Sequence, residues 1–543
     1  MNSAEILVRC LEDHGVSHIF GVPGEENLAF LEAIRKSKII FVTTRHEQAA
    51  AFMAATFGRM TGKVGVALST LGPGATNLLT GVAYAQLGGF PFLAITGQKP
   101  IKKNKQGKFQ IVDIVAMMKP ITKFSITITS SEKTPSMVSE AIEKAETERF
   151  GAVHLELPED IASEVCDAIS FDAPVIQNIK YPTAKEKDIK KALEEIEKSK
   201  HPLIILGRGA NDELISKVLK SFLEKAGIPF VSTQMGKGSF DENSKLYIGT
   251  TALSAGDYVH QALQSADVII LIGHDVTEKP PMIFDKKKII HINFFSSKFP
   301  DVYVPTCEVI GDISNTLSVF TEKIKINPAW DFNYFFKVRD ALIKNIKESS
   351  QSQDFPLRPE RIVGDINKNL PKDGTLALDN GMYKIWVARN FIASSPNNIL
   401  LDNTLATMGA GLPSGIALKV LYPNKKVLVM AGDGGIMMSI GDLETAVRLK
   451  FDLVILVLDD SEFGMIRWKQ SNMNLSQFGL SFNNPDFVML AKSFGAIGHK
   501  VEKADDLALH LQKAFNSKGV HIIVCPINYD EANKTLKNIK IIE

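Results

Sequence analysis

Short apolar runs alternate with segments of helical spacing along most of the chain. In the first third, apolar runs at 39–43 and 64–69 alternate with helical patterns at 4–14 and 49–60. Short apolar runs are typical of buried parallel strands, and strands that alternate with helices form parallel sheets covered on both faces. The pattern therefore predicts an α/β fold built from doubly wound parallel sheets.

The length of the chain and two polar stretches divide this pattern into domains. A chain of 543 residues is too long for one hydrophobic core, so about three domains are expected. Residues 171–186 contain two prolines, and residues 331–359 combine a charged helix with a polar loop, as is typical of linkers. We predict three doubly wound parallel-sheet domains, at 1–170, 185–330 and 355–543.

Composition and charge argue against several classes of function. The chain is 45% hydrophobic and 23% charged with a net charge of +1, which gives no reason to expect nucleic acid or a membrane surface as a partner. Four scattered cysteines fit a reducing cytoplasm. The first residues lack the pattern of a signal peptide, and no apolar run reaches the ~18 residues of a membrane span. We expect a cytoplasmic protein.

Acidic residues follow two apolar runs in the last third of the chain. The run at 426–431 leads into Gly-Asp-Gly-Gly at 432–435, and the run at 453–458 leads into two aspartates. Between them, helical spacing and good helix formers predict a helix at 440–449. Ligands of open α/β sheets bind at the carboxyl ends of the strands. A single Gly-Asp-Gly could equally be a plain turn. The second acidic strand end favours a Mg²⁺ ion between Asp433 and Asp460, with phosphate oxygens completing its octahedral shell.

These two motifs resemble the diphosphate-binding motif of thiamine diphosphate enzymes, in which Gly-Asp-Gly is followed by a paired Asn or Asp. Asp460 stands where Asn is commoner, as it does in some catabolic acetolactate synthases. The resemblance implies that Mg²⁺ is held by the side chains of Asp433 and Asp460 and by the backbone carbonyl of Glu462. It also implies that the same two motifs contact thiamine diphosphate through Gly432, Asp433, Gly434, Gly435, Phe463, Gly464 and Met465.

Glu47 follows a predicted strand and opens an alanine-rich helix. By itself it fits an acidic residue stabilised by the helix dipole. Residues 45–52, Arg-His-Glu-Gln-Ala-Ala-Ala-Phe, are very similar to the segment with the catalytic glutamate of the acetohydroxyacid synthase and pyruvate oxidase group. The resemblance implies that Glu47 hydrogen-bonds N1′ of the aminopyrimidine ring and favours the imino tautomer, which removes the C2 proton. We expect Arg45 and His46 to be structural.

Glycine turns follow two other predicted strands of the first domain, at 21–24 and 72–74. Glycine lets the backbone come close to a ligand. Leu71 stands where the family usually has Ser. The resemblance implies that the pyrimidine-binding domain contacts the cofactor through Pro23, Gly24, Glu47, Gly74 and Asn77.

The polar stretch at 99–110 reads as a loop. Phe109 and Gln110 match the Phe/His-Gln pair of the family, which implies that both line the substrate pocket and that Gln110 takes part in catalysis. The lysines of this stretch could equally belong to a solvated loop.

Met408 lies before a predicted helix of the last domain. Methionine often fills gaps in a core. The resemblance gives Met408 a catalytic role, as an apolar wedge that bends the cofactor into a V shape. It also implies cofactor contacts from Thr407, Gly381 and Met382. Ala406 departs from the catabolic acetolactate synthases and is closer to the pyruvate oxidase pattern.

The middle domain begins with a strand and a glycine turn at 207–209. A Gly-x-Gly turn could bind a dinucleotide, but the acidic partner expected after the next strand is not evident. Residues 272–281 resemble catabolic acetolactate synthases, which need no FAD, and lack the Arg-Phe-Asp-Asp-Arg pattern of the FAD-containing anabolic enzymes. We therefore expect no FAD.

The chain as a whole resembles acetolactate synthase of the catabolic type and the acetohydroxyacid synthase large subunit. The resemblance implies a pyrimidine-binding, a middle and a diphosphate-binding domain. It also implies a homodimer or homotetramer with the active site at the dimer interface, acting in acetoin or branched-chain amino acid synthesis. The expected reaction decarboxylates pyruvate on thiamine diphosphate and condenses the remaining two-carbon unit with a second 2-oxoacid. Two alternatives stay open, a 2-oxoacid decarboxylase or pyruvate oxidase, and a non-catalytic scaffold or regulatory homologue.

Overall fold

The fold is described by a computed structural model that covers most of the chain. The described residues are 1–102, 107–166, 182–251, 253, 257–278, 287–297 and 303–530. They form three six-stranded sheets, and all the strand pairings within these sheets are parallel.

The first sheet has the strand order β2-β1-β3-β4-β6-β5. Its strands are β1 (His18–Gly21), β2 (Ile40–Thr43), β3 (Gly65–Ser69), β4 (Phe92–Gln98), β5 (Phe124–Thr127) and β6 (Ala152–Pro158). The helices of this region are α1 (Ser3–Asp13), α2 (Leu28–Arg35), α3 (Glu47–Thr61), α4 (Pro73–Gly88), α5 (Ile114–Met118), α6 (Thr134–Glu146) and α7 (Glu159–Ala162).

The second sheet has the strand order β12-β11-β10-β7-β8-β9. Its strands are β7 (Pro202–Leu206), β8 (Phe230–Ser232), β9 (Tyr247–Thr250), β10 (Val268–Ile272), β11 (Lys288–Asn293) and β12 (Cys307–Ile310). The helices of this region are α8 (Glu186–Lys198), α9 (Glu213–Ala226), α10 (Tyr258–Ser265), α11 (Ile313–Lys323) and α12 (Asn333–Ser349).

The third sheet has the strand order β14-β13-β15-β16-β18-β17. Its strands are β13 (Thr375–Leu378), β14 (Ile399–Leu400), β15 (Val427–Gly432), β16 (Leu453–Asp459), β17 (Ile497–Lys500) and β18 (Val520–Pro526). The helices of this region are α13 (Pro359–Asn369), α14 (Lys384–Asn390), α15 (Gly411–Leu421), α16 (Asp433–Met437), α17 (Leu443–Arg448), α18 (Gly464–Asn472), α19 (Phe487–Ser493) and α20 (Asp506–Phe515).

Strands buried on both faces explain the continuous apolar runs. In β7, Ile204 and Leu206 belong to one apolar cluster, together with residues of α9. The alternate residues Leu203 and Ile205 belong to a second cluster, together with residues of α10. Because successive side chains of a strand point to opposite faces, helices cover both faces of this sheet.

The chain forms two compact units, and both of them are discontinuous in sequence. The first unit comprises the described residues within Met1–Ile179, Gly409–Pro423 and Met437–Phe451. It therefore holds the first sheet together with α15 and α17. The second unit comprises the described residues within Lys180–Met408, Asn424–Ile436 and Asp452–Glu543, and holds the other two sheets.

The predicted fold class is confirmed by the three parallel sheets. The apolar runs at 426–431 and 453–458 form β15 and β16. The single helix predicted at 440–449 is wrong: a 3₁₀ turn, Ile440–Asp442, precedes α17. Gly441 has a low helix propensity, which accounts for the late start of the α-helix.

The domain boundaries remain a prediction. Most of the predicted linker at 171–186 lies outside the described residues. None of the helices in the described ranges is long and apolar enough to cross a membrane.

Substitution of His154 tests the packing of the first sheet. The ring is fully buried in β6, hydrogen-bonded to Thr96 at 2.8 Å and to Ser125 at 2.9 Å, and burial lowers its pKa to about 3. An unfolded histidine titrates near pH ~6.5, so the unfolded chain binds more protons than the folded one below that pH. The stability that His154 contributes is therefore present above pH ~6.5 and is lost progressively as the pH falls towards 3, by about 1.4 kcal/mol per pH unit.

We expect His154→Gln to show a weaker fall of the urea midpoint between pH 7 and pH 5 than the wild-type protein. Circular dichroism at a series of urea concentrations measures it. An equal fall of the urea midpoint in both proteins would show that the lowered pKa of His154 does not contribute to the pH dependence of stability.

Candidate active site

Glu47 is held at the start of α3, where the sequence predicts it. His46 caps this helix, because its Nδ1 accepts a hydrogen bond from the Gln48 N–H at 3.1 Å. The Asn77 Nδ2 donates to Glu47 Oε2 at 3.0 Å. A Cβ added at Gly74 would lie 3.2 Å from Glu47 Oε1. Three of the predicted cofactor residues therefore meet around one carboxylate.

Glycine is required at two turns of the first unit. A Cβ at Gly24 would lie 2.3 Å from the Cβ of Thr70, so no side chain fits beside Pro23 at this strand end. Gly72 has a φ of +50° and packs against the backbone of Gln110. Gly24 is itself a predicted cofactor contact, and Gly72 comes two residues before another, Gly74.

Phe109 and Gln110 lie in an exposed turn of the first unit. Phe109 is 67% exposed, and Gln110 has a φ of 57°. Residues 103–106 of the predicted loop lie outside the described residues. The substrate-pocket role of the pair stays a prediction.

Asp433 and Asp460 lie at the carboxyl ends of two adjacent strands of the third sheet. Gly432 of β15 pairs with Leu458 of β16, so the residues that follow each strand come side by side. Asp433 is 2% exposed, and its Oδ2 accepts hydrogen bonds from the Ser461 N–H at 2.7 Å and the Asp460 N–H at 3.3 Å. Two predicted metal ligands are therefore neighbours.

The environment of Asp460 disfavours its charged form. Burial, followed by the negative charges of Asp433 and Glu462, raises the pKa of Asp460 to about 8. Burial also raises the pKa of Asp433, against the hydrogen bonds that it accepts. Two neighbouring carboxyl groups whose charged forms are disfavoured are the arrangement that a bound cation stabilises.

A cavity of about 300 Å³ opens beside this acidic pair. All the residues that line it belong to the second unit. Twelve residues predicted from sequence are among them: Gly381, Met382, Met408, Gly432, Asp433, Gly434, Gly435, Asp460, Glu462, Phe463, Gly464 and Met465.

The glycines of the cavity leave no room for side chains. A Cβ at Gly435 would lie 2.9 Å from Asp379 Oδ2, and one at Gly464 would lie 3.0 Å from Asp460 Oδ2. A Cβ at Gly434 would lie 3.0 Å from the ring of Phe463. Backbone N–H groups can therefore approach a ligand here.

A polar network holds the loop that carries Met408. Asn380 Nδ2 donates to the carbonyl of Thr407 at 2.8 Å, and Lys384 Nζ donates to Asn380 Oδ1 at 2.6 Å. Asp402 Oδ2 accepts the N–H of Ala406 at 2.7 Å, and Ala406 has a left-handed φ of 53°. Of these residues, Thr407 was predicted to contact the cofactor, yet it does not line the cavity with Met408.

Several cavity residues were missed from the sequence. The Tyr383 hydroxyl accepts the N–H of Gly432 at 3.1 Å, and the ring centroid of the buried Tyr529 lies 5.7 Å from that of Trp386, with the two rings tilted by 35°. Tyr383 directly follows Gly381 and Met382, which were predicted to contact the cofactor, but Tyr529 carries no sequence signal. Further lining residues outside the prediction are Asn380, Lys384, Ala406 and Ile466.

Asn484 is a further site residue that the sequence did not predict. Its Nδ2 donates to Asp433 Oδ2 at 2.7 Å and to Asp459 Oδ1 at 2.8 Å. It stands 51 residues beyond Asp433, in a segment without a motif. The amide hydrogens of Asn484 offset part of the negative charge of the acidic pair.

Comparison with known families assigns the class of protein. Models of thiamine pyrophosphate (thiamine diphosphate) enzymes match residues 1–117 as the N-terminal TPP binding domain, 189–320 as the central domain and 379–525 as the C-terminal TPP binding domain. The parallel sheets and the glycine-rich acidic cavity, with these three matches, define a thiamine diphosphate-dependent enzyme.

Full-length relatives narrow the class further. The chain is 32% identical to an acetolactate synthase of Bacillus subtilis (strain 168), with 97% of this chain and 93% of the relative covered. It is 33% identical to a probable acetolactate synthase large subunit of Methanococcus aeolicus, covering 95% and 90%. It is 30% identical to a catabolic acetolactate synthase of Raoultella terrigena, covering 97% and 95%. The chain belongs to the acetolactate synthase family, as the motifs predicted.

The substitution Asn484→Asp tests the acidic cluster. It removes two donors and adds a carboxyl group beside Asp433 and Asp459 at unchanged volume. We expect the free energy of unfolding to fall by about 1.5–3 kcal/mol, which is the range for hydrogen bonds to charged groups. The melting temperature in chelator-containing buffer should fall with it.

The matched control is Asn474→Asp, an exposed asparagine in a loop with a φ of 54°. Differential scanning fluorimetry at pH 8 compares the three proteins. Equal melting temperatures for wild type and Asn484→Asp would show that the amide of Asn484 does not offset the negative charge of the acidic cluster.

Proposed function

We propose that this enzyme is an acetolactate synthase, which converts two molecules of pyruvate into 2-acetolactate and carbon dioxide with thiamine diphosphate and Mg²⁺. The observation that carries the proposal is the glycine-rich cavity at the acidic pair Asp433 and Asp460, in a chain whose similarity to acetolactate synthases spans nearly its full length. When bound, the cofactor supplies an electron sink for the decarboxylation.

The acidic pair fits a small divalent cation. Asp433 and Asp460 offer hard carboxylate oxygens, which Mg²⁺ prefers. The pKa of Asp460 is raised by burial and then by the negative charges of Asp433 and Glu462, which a cation would offset. The backbone carbonyl of Glu462 is the third proposed ligand. No cluster of three or more His, Cys, Asp or Glu side chains in metal-binding geometry occurs among the described residues. The proposed site needs only two such side chains, because the diphosphate supplies other oxygens.

The cavity glycines support the diphosphate assignment. Gly381, Gly434, Gly435 and Gly464 give a ligand access to backbone groups beside the acidic pair. We assign the diphosphate to this part of the cavity, with Met382, Phe463 and Met465 as flanking contacts. Met408 lines the same cavity and is the proposed apolar wedge, and Thr407 is the residue before it.

Glu47 is the proposed residue that exchanges a proton with N1′ of the aminopyrimidine. Asn77 donates to Oε2, which leaves Oε1 for a proton shared with a ligand. Gly74 leaves space beside Oε1, and Gly24 leaves the neighbouring strand end open. Pro23 fixes the turn before Gly24. Phe109 and Gln110 remain the proposed pocket for the second pyruvate.

The glycine turn of the middle sheet supports independence from FAD. The fully buried carboxylate of Glu278 accepts the Arg208 N–H at 2.8 Å and the Asp275 N–H at 3.2 Å, and it also accepts the Thr233 hydroxyl. In dinucleotide-binding folds, the backbone at this turn binds the pyrophosphate. An internal acceptor takes that place here, so we propose that the reaction proceeds without flavin. Residues 279–281 of the stretch that suggested this lie outside the described residues.

The proposed assembly is a homodimer or homotetramer. By resemblance to the family, Glu47 of one subunit serves the acidic pair of another, so that a monomer would be inactive. A cytoplasmic location is likewise proposed, on the basis of the four free, scattered cysteines.

Product analysis tests the proposed reaction. Protein freed of flavin is incubated with pyruvate, thiamine diphosphate and Mg²⁺, and acetolactate is measured as acetoin after acid treatment. We expect acetolactate without added FAD, because joining a carbanion equivalent to a ketone is redox-neutral.

Other products would identify the alternatives. Acetaldehyde as the sole product would mean a decarboxylase. Turnover that needs FAD and an electron acceptor would mean an oxidase, the outcome that the Ala406 position favours. No turnover and no cofactor binding by calorimetry would mean a non-catalytic homologue.

The substitution Glu47→Gln tests the proton transfer. Glutamine keeps the shape and can still hydrogen-bond, but it cannot share an acidic proton with the ring. We expect cofactor binding to persist and the rate of C2 proton exchange to fall by roughly 10²–10⁴-fold.

The control is Glu132→Gln, an exposed glutamate of the same unit. Exchange into deuterated water, read by NMR after acid quench, gives the rates. A wild-type rate in Glu47→Gln would disprove the assignment of Glu47.

A further inference from the structure

The three residues between β2 and α3, Thr44, Arg45 and His46, form a short loop that leads to Glu47. Within this loop, the Thr44 N–H donates to the Gly21 carbonyl at 2.9 Å, as an extension of the sheet. The Thr44 hydroxyl donates to the His46 carbonyl at 3.2 Å. His46 then caps the helix that begins with Glu47. The direction in which Glu47 leaves the sheet is therefore set by the backbone of residues 43–46.

Two side chains from a distant part of the sequence hold this loop from outside. Asp442 Oδ1 accepts the backbone N–H of Arg45 at 2.9 Å, although 397 residues separate them. Arg448 Nη2 donates to the Thr43 carbonyl at 2.6 Å. A Cβ at Gly441 would lie 3.6 Å from the Cβ of Arg45, so the backbone also packs against the loop. All these residues belong to the first unit.

The carboxylate of Asp442 accepts no hydrogen bond from the backbone N–H groups of its own helix. Asp442 is the N-cap residue of α17, but its side chain makes no capping hydrogen bond there. It is 1% exposed, and its other described partner is the Thr445 hydroxyl, which donates to the same Oδ1 at 2.9 Å. A buried carboxylate with this geometry serves the Arg45 N–H, since a buried charge without hydrogen bonds is costly.

We propose that Asp442 is a positioning residue for Glu47, with Arg448 as the second holding point. This inference rests on the proposed function of Glu47. Asp442 acts by fixing the backbone one residue before the helix cap, and it does not touch the cofactor or the substrate. The loop would otherwise be held on one side only, and a displacement of about 1 Å of a catalytic group can cost 10²-fold in rate.

The position of Asp442 in the sequence gives the proposal a further meaning. Helix α16 begins at Asp433, the proposed metal ligand, and Asp442 follows nine residues later. The stretch of chain that begins with Asp433 thus also provides Asp442, which holds the loop before Glu47.

The test compares C2 proton exchange of thiamine diphosphate, bound with Mg²⁺, in the full chain and its variants. We expect Asp442→Ala to slow the exchange about 10- to 100-fold, because the Arg45 N–H loses its acceptor and Arg448 alone holds the loop from that side. The dissociation constant of the cofactor, measured by calorimetry, should stay unchanged. Asp442→Asn should restore most of the rate, because the amide oxygen can still accept the Arg45 N–H.

Thr445→Val is the matched control. It removes the other hydrogen bond to Asp442 Oδ1 and leaves the bond to Arg45, so its exchange rate should equal that of the wild type. A purely structural role of Asp442 would lower the melting temperature and weaken cofactor binding together with exchange. If Asp442→Ala does not fold, Arg448→Met tests the same loop from a partly exposed side chain, and a several-fold slower exchange is expected.

Wild-type exchange in folded Asp442→Ala, or in Arg448→Met when the first variant does not fold, would overturn the inference alone. A wild-type protein that binds the cofactor without accelerating C2 exchange would overturn the proposed function, and the inference with it.

Discussion

Two carboxylates that lie next to each other in a half-buried cavity set the central constraint of this protein. Asp433 and Asp460 are neighbours because β15 and β16 are adjacent and parallel, so both strands deliver their next residue to the same edge. Burial disfavours the charged form of Asp460, and the like charges of Asp433 and Glu462 add to the cost, so that its pKa is raised to about 8. The surrounding structure has to compensate this charge.

The compensation comes from hydrogen-bond donors that surround Asp433. Backbone N–H groups of Ser461 and Asp460 and the amide of Asn484 all point to one oxygen of Asp433. Behind them, β13, β15, β16 and β18 bury apolar side chains on both faces of the sheet. A rigid core lets the strand ends keep a geometry that the charges alone would not hold, which is a condition for binding a cation and a diphosphate in a fixed place.

The sequence predicts the parts of this arrangement that are local. Apolar runs predict β15 and β16, because strands buried on both faces need no polar alternation. The acidic residues after these strands were predicted as site residues because ligands of open α/β sheets bind at the carboxyl ends of the strands. Glu47, Asn77 and Gly74 were likewise found beside strand ends, and the structure brings all three together.

Other site residues could not be predicted, because tertiary structure alone brings them in. Asn484 reaches Asp433 from 51 residues away, and Asp442 reaches Arg45 from 397 residues away. Tyr529 lies after β18, is buried and lines the cavity. Nothing in the sequence around it distinguishes it from an ordinary core aromatic residue. Helical spacing also overestimated the segment at 440–449, where Gly441 and a 3₁₀ turn delay the helix. Local pattern identifies the residues at strand ends, but not the groups that surround them.

The discontinuous first unit limits how this chain can be divided or recombined. Helix α15 packs on α3, with the Ser414 hydroxyl accepting a hydrogen bond from Thr56 at 2.9 Å, although 358 residues separate the two. A fragment cut after the first sheet would expose the alanine-rich face of α3 to water. Exchange of segments between homologous genes therefore preserves this core only if residues 409–423 and 437–451 are inherited together with the N-terminal third.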